Sequence, residues 1–99
     1  MDRLTTLREQ IDTIDEQLAD LIADRLARCS EVARVKAVEG LPMMQPARVT
    51  AVCDAWSERG RARGIDPGLL RQMARMIIDE ACRLELDIMD VAAQRDVDR

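Results

Sequence analysis

The sequence has 99 residues, of which 47% are hydrophobic and 34% are charged, and its formal net charge is −4. This length allows one small domain, and the acidic balance disfavours a nucleic-acid or anionic-membrane binder, because both partners require a basic surface. Histidine is missing altogether, which removes the commonest proton carrier at neutral pH and the commonest zinc ligand.

Cellular location is predicted from the N-terminus, the apolar runs and the cysteines. The N-terminus is charged from residue 2, unlike a signal peptide, and no apolar run approaches the ~20 residues that cross a bilayer. The cysteines, Cys29, Cys53 and Cys82, are far apart and odd in number, which is typical of free thiols in a reducing compartment. A cytoplasmic protein is therefore expected.

A first helix is predicted from about Leu4 to Val38. Its apolar residues alternate steps of three and four, the heptad spacing of helices that pack along one another. These residues are Leu4, Leu7, Ile11, Ile14, Leu18 and Leu21. The helix would be about 50 Å long, whereas a globule of this size is about 25–30 Å across. One chain cannot cover such a helix, so a second copy is expected.

Two more helices follow. The first helix is predicted to end at Gly40, which suits a C-cap, and Pro46 suits the first turn of the second helix after the loop 40–46. One face of that helix is apolar: Val49, Val52, Cys53 and Trp56. Asp66 and Pro67 have the residue types of an N-cap and a first helical position, so the third helix is predicted to begin there.

The third helix has an apolar stripe and a polar end. The stripe consists of Leu70, Met73, Ile77, Ala81, Leu84, Ile88 and Val91. A polar C-terminal tail is predicted over residues 92–99. The predicted fold is therefore all-α, with three helices in one domain over residues 1–99 and a core over residues 4–91.

Two cations interrupt the apolar stripe of the first helix. Arg25 takes the next place in the series Leu4, Ile11 and Leu18, and Lys36 lies on the same face further along. Their long stems could carry the charges out to water, but a buried charge without a partner is costly. Either an acidic side chain or an anionic ligand would satisfy them, and the pattern leaves both open.

Glu85 borders the predicted core, in line with Ile78, Ala81 and Ile88. One interpretation is a salt bridge at the edge of the core. The other is a carboxyl kept protonated by apolar surroundings, which could donate a proton or a hydrogen bond. The other acids of the sequence are spaced as a solvated helix face, so no metal or cofactor is expected.

The segment LTTLREQIDTIDEQLADLIADRLARCSEVARVK is followed by a loop with a proline and by an arginine that opens the second helix. This pattern, with its motif L-R-x-x-I-D-x-I-D and its later arginine and lysine, resembles the all-helical chorismate mutase family over about residues 4–90. The resemblance implies an intertwined homodimer of three-helix chains. It also implies two active sites, each built from both chains.

The resemblance assigns a role to each of four cations. Arg8 matches the arginine that the long helix lends to the partner's site, and Arg25 matches the one that clamps a substrate carboxylate. Lys36 matches the lysine at the ether oxygen of the substrate. Arg48 matches the arginine at the start of the second helix.

Three positions depart from the best-known bacterial form of the family. Gln45 replaces an aspartate, and Val49 replaces a glutamate near the ring hydroxyl of the substrate. Glu85 replaces a glutamine beside the ether oxygen, although other members use glutamate there. Ala81, one turn before Glu85, is placed in the same substrate pocket.

The implied reaction is the [3,3] rearrangement of chorismate or of 4-amino-4-deoxychorismate, which needs no cofactor. The enzyme must orient the substrate and stabilise negative charge on its ether oxygen. One alternative is an isochorismate pyruvate lyase, since those enzymes also have an apolar residue where Val49 stands, but they keep glutamine at the position of Glu85. A non-catalytic dimerisation module is another, although it would tolerate loss of the four cations that are retained here.

Overall fold

A computed structural model describes the backbone of residues 2–97 and the side chains of residues 2–95. The chain forms three helices, α1 (Arg3–Glu39), α2 (Pro46–Ala62) and α3 (Pro67–Val97), and the described residues include no strand. The predicted all-α class with three helices is confirmed. Residues 92–97 of the predicted polar tail continue α3, and its last two residues lie outside the described range.

The helix ends follow from local capping chemistry. The carboxylate of Asp2 accepts a hydrogen bond of 2.7 Å from the Thr5 amide, which satisfies an otherwise free N–H in the first turn of α1. Gly40 ends α1 in the left-handed conformation, with φ of 70°. Asp66 precedes α3 and accepts a hydrogen bond of 3.0 Å from the Gly68 amide. The predicted roles of Gly40 and of Asp66 are confirmed.

α3 is the central helix, because α1 and α2 each pack against it and, within the described range, not against each other. Its core contact with α2 is formed by Val52 and Cys53 on one side and by Ala74 and Ile78 on the other. Val49, Trp56 and Cys82 pack around this cluster. The apolar face predicted for α2 is therefore confirmed.

The stripe predicted for α3 needs a correction. The most buried residues of this helix are Ala74, Ile78, Ala81 and Glu85, and of the predicted stripe only Ala81 is among them. The larger residues of that stripe are half-buried, and Val91 is exposed. Alanine at positions 74 and 81 is small enough for the neighbouring helices to cover it, so burial on α3 is greatest at small residues.

The N-terminal half of α1 lies almost uncovered. All six heptad residues from Leu4 to Leu21 are 44–64% exposed, and the only buried residue described in α1 is Ala33, near its other end. The molecule is accordingly elongated, with a longest dimension of 65 Å. Among the described helices, none has the length and apolarity required to cross a membrane.

Candidate active site

A cavity of about 620 Å³ lies among the C-terminal half of α1, the loop after it, the start of α2 and the middle of α3. Seven of the eight predicted site residues line it: Arg25, Lys36, Gln45, Arg48, Val49, Ala81 and Glu85. A volume of this size is typical of small-molecule sites, which run to about 300–1,000 Å³. The structure therefore brings these residues together from three helices and one loop.

Helix geometry explains why these side chains converge. Arg25 and Lys36 are separated by three turns of α1, about 16 Å along its axis, and so lie on one face. Pro46 opens α2, which places Arg48 in its first turn at the edge of the cavity. On α3, Ala81 and Glu85 are one turn apart and face α1 together.

Lys36 has two partners inside the cavity. Its Nζ donates to Oε1 of Glu85 at 3.2 Å and to the backbone carbonyl of Met43 at 2.9 Å. The Lys36 and Glu85 side chains are only 13% and 9% exposed, so water screens this ion pair weakly. An ammonium group has three N–H donors, and the third is left to contact a ligand. The sequence left open whether an acidic side chain or an anionic ligand pairs with Lys36. In the structure, an acidic side chain of α3 does so.

Two of the three arginines that line the cavity, Arg25 and Arg48, differ from Lys36, because neither forms an ion pair with a carboxylate in the described part of the chain. Within the described residues, the Arg25 side chain forms one hydrogen bond, from Nη1 to Sγ of Cys29 at 3.7 Å, and sulfur is a weak acceptor. Arg48 is exposed to the cavity mouth. Two guanidinium groups in one cavity, with no carboxylate partner among the described residues, have the chemistry to bind anionic groups.

Sequence reasoning missed a sulfur-containing part of the wall. It consists of Cys29, Met43, Met44 and Cys82. The Cys82 thiol donates to the thioether of Met44 at 3.9 Å, and burial, together with the nearby carboxylates of Glu85 and Asp79, raises the pKa of this thiol. The spacing of Cys82 from Glu85, three residues on a helix, is the sequence feature that could have revealed it.

The cavity includes no cluster suited to a metal ion: no three His, Cys, Asp or Glu side chains converge anywhere in the described range. Its rim carries an exposed ion pair of 2.7 Å between Arg28 and Glu31, one turn apart on α1. Exposed pairs of this kind contribute little to stability. Charge is therefore concentrated in the cavity on Arg25, Arg48 and the pair of Lys36 with Glu85.

Arg8 is the predicted site residue that this cavity does not contain. It is exposed on the N-terminal half of α1. Seventeen helical steps separate it from Arg25, which corresponds to about 25 Å along the axis. Because a straight helix cannot fold back over that distance, Arg8 cannot reach the cavity of its own chain.

Three helices without a strand in the described range agree with the all-helical class expected of a chorismate mutase of this type. Residues 7–86 match the family model described as chorismate mutase type II. The chain belongs to this family, and the resemblance recognised from the sequence is confirmed.

Three relatives with similar sequence identity to this chain carry two different names. The chain is 38% identical over 84 residues to a 4-amino-4-deoxychorismate mutase of Streptomyces pristinaespiralis, covering 85% of this chain and 65% of that protein. It is 37% identical over 82 residues to a protein of the same name from Streptomyces venezuelae, covering 83% and 80%. It is also 37% identical over 84 residues to the T-protein of Enterobacter agglomerans, covering 85% of this chain and 22% of that protein. The chain thus spans less than two thirds of two of these relatives.

Proposed function

We propose that the chain catalyses the [3,3] rearrangement of a chorismate-type dicarboxylate without a cofactor. The observation that carries the proposal is a pair of arginines, Arg25 and Arg48, in a cavity of substrate size, neither of which has a carboxylate partner among the residues that the structure describes. Chorismate and its 4-amino analogue each have two carboxylates, which can satisfy two guanidinium groups. Membership of the chorismate mutase type II family supports the same reaction.

The chemistry requires positioning and electrostatics only. The bond from the ring to the ether oxygen breaks while a carbon–carbon bond forms between the enolpyruvyl arm and the ring, and no proton is transferred. Arg25 and Arg48 hold the arm over the ring, which removes an entropic cost. The third N–H of Lys36 meets the ether oxygen, where negative charge develops.

Glu85 acts beside Lys36 in this mechanism. Its Oε1 accepts the hydrogen bond of Lys36 at 3.2 Å, and the two side chains form an ion pair. The carboxylate holds the Lys36 ammonium group in place, so that the third N–H of Lys36 points at the ether oxygen as negative charge develops there. Glu85 therefore acts on the reaction through Lys36.

We further propose that two copies form an intertwined homodimer and that each supplies Arg8 to the cavity of the other. The six exposed heptad residues of α1 supply a continuous apolar face for a second copy. The distance of Arg8 from its own cavity, about 25 Å, leaves a partner's cavity as the place where it can act. A two-fold axis would complete both sites at once.

We propose 4-amino-4-deoxychorismate as a substrate at least as good as chorismate. Val49 lies in the cavity wall and offers no hydrogen bond to a ring hydroxyl, and an unmet buried polar group costs about 1–3 kcal/mol. Gln45, also in the wall, both donates and accepts, so it can serve a hydroxyl or a neutral amine. Two relatives are named 4-amino-4-deoxychorismate mutase, which agrees with this choice.

Competition kinetics test the substrate. Chorismate, 4-amino-4-deoxychorismate and isochorismate are mixed with the protein, and the products are identified by mass. The proposal expects rearranged products, with kcat/KM for the amino compound equal to or above that for chorismate. Efficient conversion of chorismate with the amino compound ignored would refute the substrate proposal, and salicylate with pyruvate as the dominant products would replace the mutase with a lyase.

Mixed dimers test the shared site. Arg8→Ala and Arg25→Ala proteins, each inactive, are unfolded together and refolded. Half of the dimers should be mixed, with one intact site of two, so about a quarter of the native activity should return. The matched control mixes Arg25→Ala with Arg48→Ala, two changes in the same cavity, which should restore nothing. If the first mixture also remains inactive, Arg8 is not shared.

A further inference from the structure

The loop after α1 forms hydrogen bonds with both the backbone and the side chain of Lys36. The carbonyl of Lys36 accepts hydrogen bonds from the amide of Gly40 and, at 2.9 Å, from the amide of Leu41. Two residues later the carbonyl of Met43 accepts from Nζ of the same lysine at 2.9 Å. The loop therefore fixes where the Lys36 amine lies.

Gly40 sets the direction of this loop. Its φ of 70° and ψ of 29° are left-handed, a conformation that residues with a Cβ adopt only with strain. A Cβ added at Gly40 would meet no atom within 4 Å, so space does not exclude a side chain there. Backbone conformation alone is the reason for glycine at this position.

Lys36 is the only lysine of the sequence, among fourteen arginines. Its compact ammonium group can direct three donors at three different acceptors, which the planar guanidinium of arginine cannot do. Glu85 and the Met43 carbonyl occupy two of these directions. Together they determine where the third N–H points.

From these contacts we infer that Gly40 is a positioning residue for the reaction, acting through the Met43 carbonyl on the third N–H of Lys36. The inference rests on the proposed function, in which that N–H meets the ether oxygen. Loss of the left-handed turn moves the Met43 carbonyl away from Nζ. The amine then points less accurately at the reacting oxygen, although the helix and the ion pair with Glu85 persist.

The chain offers a matched control at Gly64. This residue follows α2, has φ of 76°, and would also place a Cβ in open space. Gly64 does not line the cavity. Gly40→Ala and Gly64→Ala therefore introduce the same backbone strain, one beside the site and one away from it, and should lower the Tm by similar amounts.

The first readout is activity of the folded dimer. Gly40→Ala should lower kcat about tenfold or more, within the limit of about 10²–10³ for complete loss of one preorganised donor. Gly64→Ala should keep the native kcat. Gly40→Asn should recover most of the loss, because asparagine tolerates the left-handed conformation. Equal kcat values for Gly40→Ala and Gly64→Ala would overturn the inference.

The second readout does not depend on catalysis. Since the chain has one lysine, the rate of acylation of its side chain by an activated ester, followed by mass spectrometry, reports on Lys36 alone. The N-terminal amine is the internal reference. Gly40→Ala should raise this rate severalfold over the native protein, and Gly64→Ala and Gly40→Asn should not. Unchanged acylation in Gly40→Ala would refute positioning by the loop.

A second variant covers the case in which Gly40→Ala does not fold. One glycine inserted between Leu41 and Pro42 keeps Gly40 and costs little, because loop entropy changes slowly with length. It displaces the Met43 carbonyl, so acylation of Lys36 should rise and activity should fall. A native protein without activity on any chorismate-type substrate would refute the proposed function, whereas the acylation rates would still decide the role of Gly40.

Discussion

The two halves of α1 differ in what covers them. Residues 25–36 line a cavity that the loop and α3 close, and Ala33 there is completely buried. Residues 4–21 form an apolar stripe of the same helix, and the chain itself leaves that stripe exposed. Both halves present apolar residues at helical spacing. The comparison teaches that such spacing identifies the face to be covered, but not whether the same chain or another chain covers it.

The largest effect is expected from a charge on the uncovered half. Ile14→Lys places an ammonium group in the proposed dimer interface, where desolvation is costly, so the dimer should dissociate, unfold and lose activity. Thr13→Lys is the matched control, because it adds the same charge to the adjacent exposed position off the stripe. Sedimentation and circular dichroism measure both variants. A folded monomer of the native chain at micromolar concentration would contradict the role given to this half.

On the covered half, Arg25→Ala should lower kcat/KM by about 10²–10³ and leave a folded dimer. Because Arg25 has no carboxylate partner in the described part of the chain, its removal leaves no acid there unpaired, and the Tm without ligand should hold or rise. Arg34→Ala on the exposed side of α1 is the control, with native kinetics expected. Unfolding of the Arg25→Ala dimer, with activity retained in the folded fraction, would make Arg25 a structural residue.

Lys36→Ala should lower activity as strongly as Arg25→Ala but should also lower the Tm. The substitution leaves the buried Glu85 carboxylate without its ion-pair partner, and an uncompensated buried charge destabilises the folded protein. Adding Glu85→Gln to Lys36→Ala should restore the Tm and not the activity. Thermal melts of the three proteins separate the structural from the catalytic contribution of this pair.

A smaller effect is expected from a change at Val49 of α2, which lines the cavity together with the covered half of α1. Val49→Glu supplies the acid that a ring hydroxyl can use, so it should shift preference from the amino substrate toward chorismate by about 1–3 kcal/mol, roughly 5- to 150-fold. The ratio of kcat/KM values for the two substrates measures the shift. Cys53→Ala, a change on the buried side of α2 at a residue that does not line the cavity, serves as a control for general loosening. No change in the ratio would remove Val49 from substrate discrimination.

Changes at Glu85 extend the comparison to the cavity itself. Glu85→Gln keeps an oxygen that accepts from Lys36, so most of the activity should remain. Glu85→Ala removes that acceptor, so kcat should fall further. Steady-state rates of the native protein and the two variants, with folding checked by circular dichroism, make the comparison. Equal kcat values for the native protein and Glu85→Ala would exclude Glu85 from the mechanism.

Much of the site could be predicted because helical periodicity is local. The heptad steps of α1, the glycine at its end and the proline that opens α2 are enough to place Arg25, Lys36 and Arg48 near one another. The resemblance added Gln45, Val49, Ala81 and Glu85, and the structure locates all of them in the same cavity. The distance of Arg8 from that cavity also follows from sequence, since it depends only on helical rise.

By itself, then, the sequence determined the three helices, their ends, the family and the face of α1 that carries the cations. Only the tertiary structure decided which line of α3 is buried, that Lys36 pairs with Glu85, and that Arg25 has no acidic partner among the described residues. It alone revealed the Met43 carbonyl as a partner of Lys36. The physical reason is that capping and periodicity depend on neighbours in sequence. Which side chains pair depends on how the helices cross. Every residue has a backbone carbonyl, so no residue type in the sequence marks the carbonyl that will accept a particular hydrogen bond.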